Sequence, residues 1–481
     1  MIRLLWLTAY KGNVHGKIRS FLLFFLLIGF TVMVHGQDDF VIIDSINIVG
    51  LKITQRNVIL KEIDFTSGDT IGLKELAKRM SSNEKRLQSI GLFTVAKINV
   101  KNWNTDLSIC DLEIKVQENW YIYPYIIFEL ADRNFNVWRK EQNYSFDRVN
   151  YGVALNHINL TGNKDKLKLK FQRGYTRKYE IAYDFPYLKK RWGLSANLLY
   201  AENREIAYKT FNNKPQFYQS PDEKKLFFQH RASISLLNRT SALLHQSLRF
   251  EFISAKIDTI ISTQLNPSFF GNNTSSLQYF LVDYYLRFDN TVYPLYPMAG
   301  YRVEFNARKE GLGLLSDTDN AWLSFSTELH SPLLKWLILS NRLKFKINLQ
   351  DNNLPYFLNN AIGYKSDNIT GYQLYVLDGR NFILLNNALR FRLIDKDIII
   401  KKYMPKQFRE MNTKLFLRLS FDYGYARDPL SGSENPYSNR NEYGYGPGLD
   451  LILYNNFTLS FEYGITRFNE KGFFIESGFN F

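Results

Sequence analysis

The sequence predicts a small α+β domain followed by a transmembrane antiparallel β-barrel of about sixteen strands. Three observations predict it: period-two alternation through most of the chain, an apolar leader with no comparable apolar run after it, and a heavy load of Tyr and Phe. The alternation is plainest near the C-terminus. Phe457, Leu459, Phe461, Tyr463 and Ile465 make one face apolar, while Thr458, Ser460, Glu462, Gly464 and Thr466 make the other small or polar. Phe473, Ile475, Phe479 and Phe481 repeat the rhythm. Period two is the mark of a strand. A strand apolar on one side suits a half-buried soluble sheet, or a barrel with lipid outside and a polar lumen.

The leader decides between these. Residues 1–36 carry Arg3, Lys11, Lys17 and Arg19 but no acid, then an apolar run over 21–34, then Val34-His35-Gly36. That is the order of an export signal, with cleavage before Gln37. After it no run is long enough to cross a bilayer as a helix, so any crossing is made by strands. Aromatic residues make up 16% of the chain, with 31 Tyr and 38 Phe, which suits girdles at the two lipid–water boundaries.

Charge and composition exclude several functions. The formal charge of +15 falls to +11 without the leader. Lys and Arg are spread along the chain with no compact basic recognition helix, which favours anionic lipid head groups or a charged lumen over nucleic acid. Cys110 is the only cysteine, so no intrachain disulfide forms. His15, His35, His157, His230, His245 and His330 include no pair at metal-ligand spacing, and no phosphate-binding loop is present. No cofactor, no metal and no enzyme activity is expected.

Residues 38–118 read as one domain. Val41, Ile43, Ile46 and Ile48 form a first strand ended by Gly50, and Thr54 caps a short helix running to Leu60. Asp69 and Thr70 introduce a second helix, with Leu73, Leu76, Ala77, Met80 and Leu87 at helical spacing and Gly91 as its stop. Strands over 95–100 and 109–116 complete the unit. From Trp120 the helical period vanishes. Strands are expected over 121–130, 149–155, 167–172, 179–185, 193–201, 227–237, 247–253, 277–288, 301–307, 322–329, 337–349, 382–393, 415–425, 445–453, 458–466 and 473–481. Tight turns at 187–192, 238–240 and 454–456 alternate with long polar stretches at 202–225, 351–379 and 428–442. Short turns on one rim and long loops on the other are the pattern of an outer-membrane barrel.

The first domain, including its Ile90-Gly91-Leu92-Phe93 step from helix to strand, resembles a POTRA (polypeptide-transport-associated) domain. Leader, POTRA-like domain (38–118) and terminal barrel (119–481) together resemble the BamA/TamA family of outer-membrane assembly and transport barrels. Residues 156–162 are similar to that family's first turn, and Tyr293-Pro294 followed by Gly300 to its proline-then-glycine entry into a mid-barrel strand. The segment 351–379 falls where the family has a loop folded into the lumen, with an Arg-Gly-Tyr or Arg-Gly-Phe tip. Here the tip reads Thr370-Gly371-Tyr372, so the arginine is missing. The family's partner aspartate is present as Asp422, in Phe421-Asp422-Tyr423-Gly424, and its partner glutamate falls at Ala388. Losing a cation together with one carboxylate partner is physically consistent, because a buried unpaired charge is strongly unfavourable. The expected loop is held by Tyr372 packing and hydrogen bonds, with Arg380 as a candidate substitute cation.

The resemblance implies an outer-membrane protein whose POTRA-like domain, in the periplasm, takes a client as an added strand. The barrel then receives that client at the seam formed by its last strand, which carries Phe473, Ile475, Phe479 and Phe481. Expected partners are outer-membrane lipid, unfolded polypeptide or β-barrel clients, and periplasmic or lipoprotein accessory factors. A passive pore, a specialised exporter and a surface adhesin remain open alternatives, although a simple porin has no use for residues 40–118.

Overall fold

The computed structural model describes residues 40–479 apart from 190, 242, 292–294, 316–317, 351–353, 365–366, 400–409, 433 and 455–456. The leader therefore lies outside the described residues, as do Tyr293, Pro294 and Phe481. The described chain divides into two units, one of residues 40–52 and 59–119 and one of residues 53–58 and 120–479.

The first unit is a four-stranded sheet in the order β2-β1-β4-β3, built from β1 (Phe40–Val49), β2 (Thr70–Gly72), β3 (Phe93–Asn104) and β4 (Ile109–Glu118). β1 and β4 run parallel and the other pairs are antiparallel. Two helices, α1 (Arg56–Glu62) and α2 (Leu73–Ser89), separate the first strands from the last. Alternate residues Val41, Ile43, Leu112, Ile114, Ala96 and Ile98 are buried together with Leu76 and Leu87 of α2. Full burial of each large aliphatic stabilises by about 1.5–3 kcal/mol. Asp69 does not cap α2. Its carboxylate accepts from the backbone N–H and hydroxyl of Thr66 (2.8 and 2.6 Å), closing a turn, and Ile71 then pairs with Val41, so α2 begins only at Leu73. Gly91 does end it, at φ +76°. Cys110 is buried in the sheet, and burial raises its thiol pKa.

The second unit is a transmembrane barrel, a sixteen-stranded antiparallel sheet. Its strands are β5 (Ile122–Leu130), β6 (Val149–Ile158), β7 (Lys166–Gly174), β8 (Thr176–Lys189), β9 (Trp192–Asn203), β12 (Phe227–Asn238), β13 (Leu244–Ile257), β14 (Ser276–Asp289), β15 (Gly300–Glu310), β16 (Asn320–Leu334), β17 (Leu337–Asn348), β20 (Asn381–Ile399), β21 (Glu410–Arg427), β22 (Asn441–Leu453), β23 (Phe457–Thr466) and β24 (Lys471–Phe479). All sixteen coincide with segments expected from period two. The outside exposes Ile126, Phe128, Val153, Phe171, Leu198, Ile234, Phe250, Leu419 and Phe421. The inside pairs its charges across strands: Arg231 with Glu251 (2.6 Å), Arg308 with Asp283 (2.6 Å), and Arg302 with Asp289 (2.9 Å) and Glu328 (3.1 Å). Cationic side chains spread along the sequence thus end up neutralised in the wall.

Three features escaped the alternation reading. A hairpin, β10 (Glu205–Phe211) and β11 (Lys214–Gln219), stands in the stretch 202–225. Its turn residues Asn212 and Asn213 both have positive φ, the twist that favours a two-residue hairpin. Tyr208 and Tyr218 of this hairpin pack on Phe269, Phe270, Tyr279 and Leu226 at the rim where the long loops lie. A short helix, α3 (Phe135–Lys140), follows β5 and is capped by Asn134 Oδ1, which accepts from Val137 N–H (2.9 Å). Finally, β20 and β21 stay paired past Phe391, the last β20 residue matched to β17, out to Ile399 and Glu410.

Candidate functional site

The site is the lumen and the wall around it. Between β17 and β20 the chain folds inward, carrying the two-stranded piece β18 (Asn360–Ile362) and β19 (Leu377–Asp378), with the tip at Thr370-Gly371-Tyr372. The backbone N–H and the hydroxyl of Thr370 both donate to Oδ2 of Asp422 (2.9 and 2.8 Å), and Asn387 N–H donates to Oδ1 (3.2 Å). Asn386 stands directly opposite Asp422 in the β20–β21 register, and its amide donates to the Asn368 carbonyl (2.9 Å). Neutral donors surround the carboxylate. Such bonds to a charged acceptor contribute about 1.5–3 kcal/mol each.

Glycine makes the landing. Gly371 has φ +86°, which lets the tip turn flat against β23. A Cβ on Gly444 would stand 1.8 Å from the Thr370 carbonyl oxygen, and one on Gly464 would stand 2.5 Å from Gly371 N. Gly424 faces Ile369 in the same way. Strands β21, β22 and β23 therefore present a trough without side chains, and the tip lies in it.

Beyond the tip, Tyr372 is buried, and its hydroxyl donates to Oε2 of Glu442 (2.6 Å). It meets Tyr437 edge-on with ring centroids 5.5 Å apart. Burial, and next the Glu442 carboxylate, raise its phenol far above the usual range. Gln373 donates to Glu462. Before the tip, Asp367 pairs with Arg342 (2.7 Å) and Lys344 (2.6 Å) of β17. The loop is thus clamped by charge as well as by packing and neutral hydrogen bonds, but the loop supplies the anion and the barrel the cations. Arg380 is buried at the loop exit, where its N–H donates to the Arg427 carbonyl (3.1 Å). It directly precedes Asn381, which the register pairs with Arg427, five residues from Asp422 and about 17 Å along the strand.

At the opposite rim another segment packs on the wall. The turn before β15 tucks Tyr296 against Phe416, Ile338 and Ile452. The Tyr296 hydroxyl donates to Oδ2 of Asp450 (2.7 Å), Arg390 lies 4.4 Å over its ring, and the same guanidinium donates to the Pro297 carbonyl (3.0 Å). Between loop and turn lies a cavity of about 950 Å³, lined by Arg342, Arg390 and Arg418 and by Glu328, Asp422, Asp450, Glu462 and Glu476.

At the seam, β24 pairs with β23 on one side, and β5 is the other end of the sheet. Among the described residues no strand ladder joins β5 to β24. The outer edge of β24 is met by side chains of α3. Ile475 N–H donates to Oδ1 of Asn136 (2.9 Å), Asn136 Nδ2 donates to the Ile475 carbonyl (3.2 Å), and Arg139 donates to the Phe473 carbonyl (2.9 Å). Phe473 is exposed on the same strand. Phe479 closes the described part of β24, opposite Phe457.

A family model described as POTRA, surface antigen variable number repeat, matches residues 41–119. Among solved structures, the chain is similar to BamA from Haemophilus ducreyi lacking POTRA domains 1–3, with a TM-score of 0.60 at 13% identity over 91% of this chain and 84% of that one. The chain has a POTRA domain followed by a barrel of BamA-like fold. CdiB from Acinetobacter baumannii also matches (TM-score 0.49, 13% identity, 91% of this chain and 73% of that one), as does CdiB from Escherichia coli (0.47, 9%, 92% and 91%). No curated protein matches the sequence.

The family resemblance pointed to Thr370, Gly371, Tyr372, Asp422 and Gly424, which the structure gathers in one place. Asp367, Asn136 and Tyr296 went unremarked. Each acts on a strand far away in sequence, so no local pattern marks them. The Asn134 cap was the one available signal for α3.

Proposed function

We propose that the chain acts in the outer membrane of a Gram-negative-type bacterium as an assembly or translocation factor for polypeptides, with residues 38–118 in the periplasm binding client and the barrel inserting or passing it. The observation that carries this reading is the edge of β24. Its backbone groups at Phe473 and Ile475 are held by side chains rather than by a strand, and side chains can let go. An edge with free donors and acceptors is a template for another strand. Burying a client's strands in lipid with their hydrogen bonds made is downhill, so no nucleotide is needed. A loop folded into the lumen, with its tip docked on β21 to β23, speaks against a passive pore. Outer-membrane lipid, unfolded or β-barrel clients, and periplasmic or lipoprotein accessory factors are the partners this reading calls for.

The test is insertion into phospholipid liposomes containing the refolded mature chain, with a urea-unfolded outer-membrane barrel as client. The expected result is a several-fold faster appearance of protease-protected, folded client than in protein-free liposomes. No acceleration, together with large steady conductance of the intact chain in a planar bilayer, would overturn the proposal in favour of a pore.

A further inference from the structure

The segment that holds the edge of β24 also holds the lumen loop. Arg133, just before α3, donates through Nη1 to the carbonyls of Tyr375 (2.6 Å) and Gly363 (3.3 Å), and through Nη2 to that of Leu374. Asn134 Nδ2 donates to the Gln373 carbonyl (2.8 Å) while its Oδ1 caps the helix. One turn on, Asn136 and Arg139 take the backbone of Ile475 and Phe473. Seven residues therefore grip the loop and the β24 edge together, beside the contacts that Gln373 and Tyr375 make with Glu462 and Glu470.

The chemistry of the two grips differs. In an antiparallel pair, one residue gives both its N–H and its C=O to the residue opposite. The Asn136 carboxamide has one acceptor and one donor on a short side chain, and it satisfies both groups of Ile475 in that way. It sits in the place of a strand residue, so nothing can pair with β24 at Ile475 until Asn136 leaves. Asn136 is fully buried. Arg133, by contrast, satisfies orphan carbonyls of the loop with a planar fork of donors. Burial lowers its pKa, but it remains a cation.

α3 carries the β24 grip and directly follows the loop grip. It is six residues long and braced on its far side, where Trp138 Nε1 donates to the Ser145 carbonyl (2.8 Å) and its ring meets Tyr144 edge-on at 5.2 Å. We propose that residues 133–139 form a latch coupling the two: displacing the lumen loop frees the β24 edge, and a strand taking that edge loosens the loop. This rests on the assembly reading for its use, but the coupling is a property of the protein without any client. Coupling between two sites is reciprocal, and that supplies the test.

The experiment is hydrogen exchange of the full mature chain in lipid nanodiscs, comparing wild type, Arg133→Ala and Asn136→Ala. The Arg133 guanidinium bonds to the loop and the Asn136 carboxamide to β24. The expected result is exchange on the order of tenfold faster over residues 471–478 in Arg133→Ala, and over 369–377 in Asn136→Ala, with β13 and β14 unchanged. If each variant loosens only the element it touches, the latch is overturned. Where Arg133→Ala fails to refold, Arg133→Lys loses the fork but keeps the charge, and the same cross-effect on 471–478 decides. No client is present, so a negative insertion result leaves the latch standing. A negative exchange result in turn leaves insertion to be judged by its own assay.

Discussion

Asp378 shows how one residue can set the condition under which the plug holds. It sits in β19 at the base of the loop, buried, where the Tyr364 hydroxyl donates to its Oδ1. Burial raises its pKa to about 6, from 3.8, with a smaller push from Asp428, while the bond from Tyr364 and the Arg133 cation pull the other way. A raised carboxyl favours its neutral form in the docked loop. The stabilisation that protonation gives is complete below about pH 4 and is lost as pH rises through about 6. A shift of this size corresponds to a few kcal/mol at most. The docked loop is therefore more protected from hydrogen exchange at pH 5 than at pH 7.5, after correction for intrinsic exchange rates. Asp378→Asn removes the part of that difference due to this group. Equal pH dependence in the variant and the wild type would assign the effect to other groups.

The loop rests on a trough formed where three neighbouring strands each carry a glycine within two residues of register, and this sets the next prediction. In Gly444→Ala the new Cβ meets the Thr370 carbonyl oxygen at 1.8 Å, which nothing but movement can relieve. Because β22 is fixed by ladders on both sides, the loop tip moves. Overpacking of this kind costs about 1–3 kcal/mol. The loop then docks less tightly, with faster exchange at 369–372 and more frequent opening in bilayer recordings, while the barrel refolds as before. Unchanged recordings would mean that the tip does not bear on β22. The trough also shows what the sequence could reveal and what it could not. Sixteen strands were legible because lipid and lumen impose period two on every one, whereas Gly371 and Asp422 were legible only through the resemblance to the barrel family's motifs. The hairpin β10–β11 was hidden because Glu205, Lys209 and Lys214 made the stretch look like loop, although Asn212-Asn213 was a turn signal. Asp367 was illegible for a different reason. Its partners Arg342 and Lys344 lie on β17, and only the inward fold of the loop brings opposite charges together.

The barrel carries an inward-packed segment at each rim, the loop at one and the turn with Tyr296 at the other, with a charged cavity of about 950 Å³ between them, and each is a candidate constriction. Two constrictions in one conducting path act in series, so removing one leaves the other limiting. The intact chain in a planar bilayer is expected to show little or flickering conductance. Deleting residues 360–378 raises it, but the turn anchored by Tyr296 on Asp450 and Arg390 still narrows the path. Adding Tyr296→Ala to that deletion removes the anchor and the ring together and gives a large, steady current, whereas Tyr296→Ala alone leaves the loop in place and the current small. If the loop deletion by itself reaches the conductance of the combined variant, the turn is no stopper and the lumen has a single gate. If Tyr296→Ala alone opens the path, the loop does not seal the lumen, and its contacts with Asp422 and Glu442 serve to brace the wall.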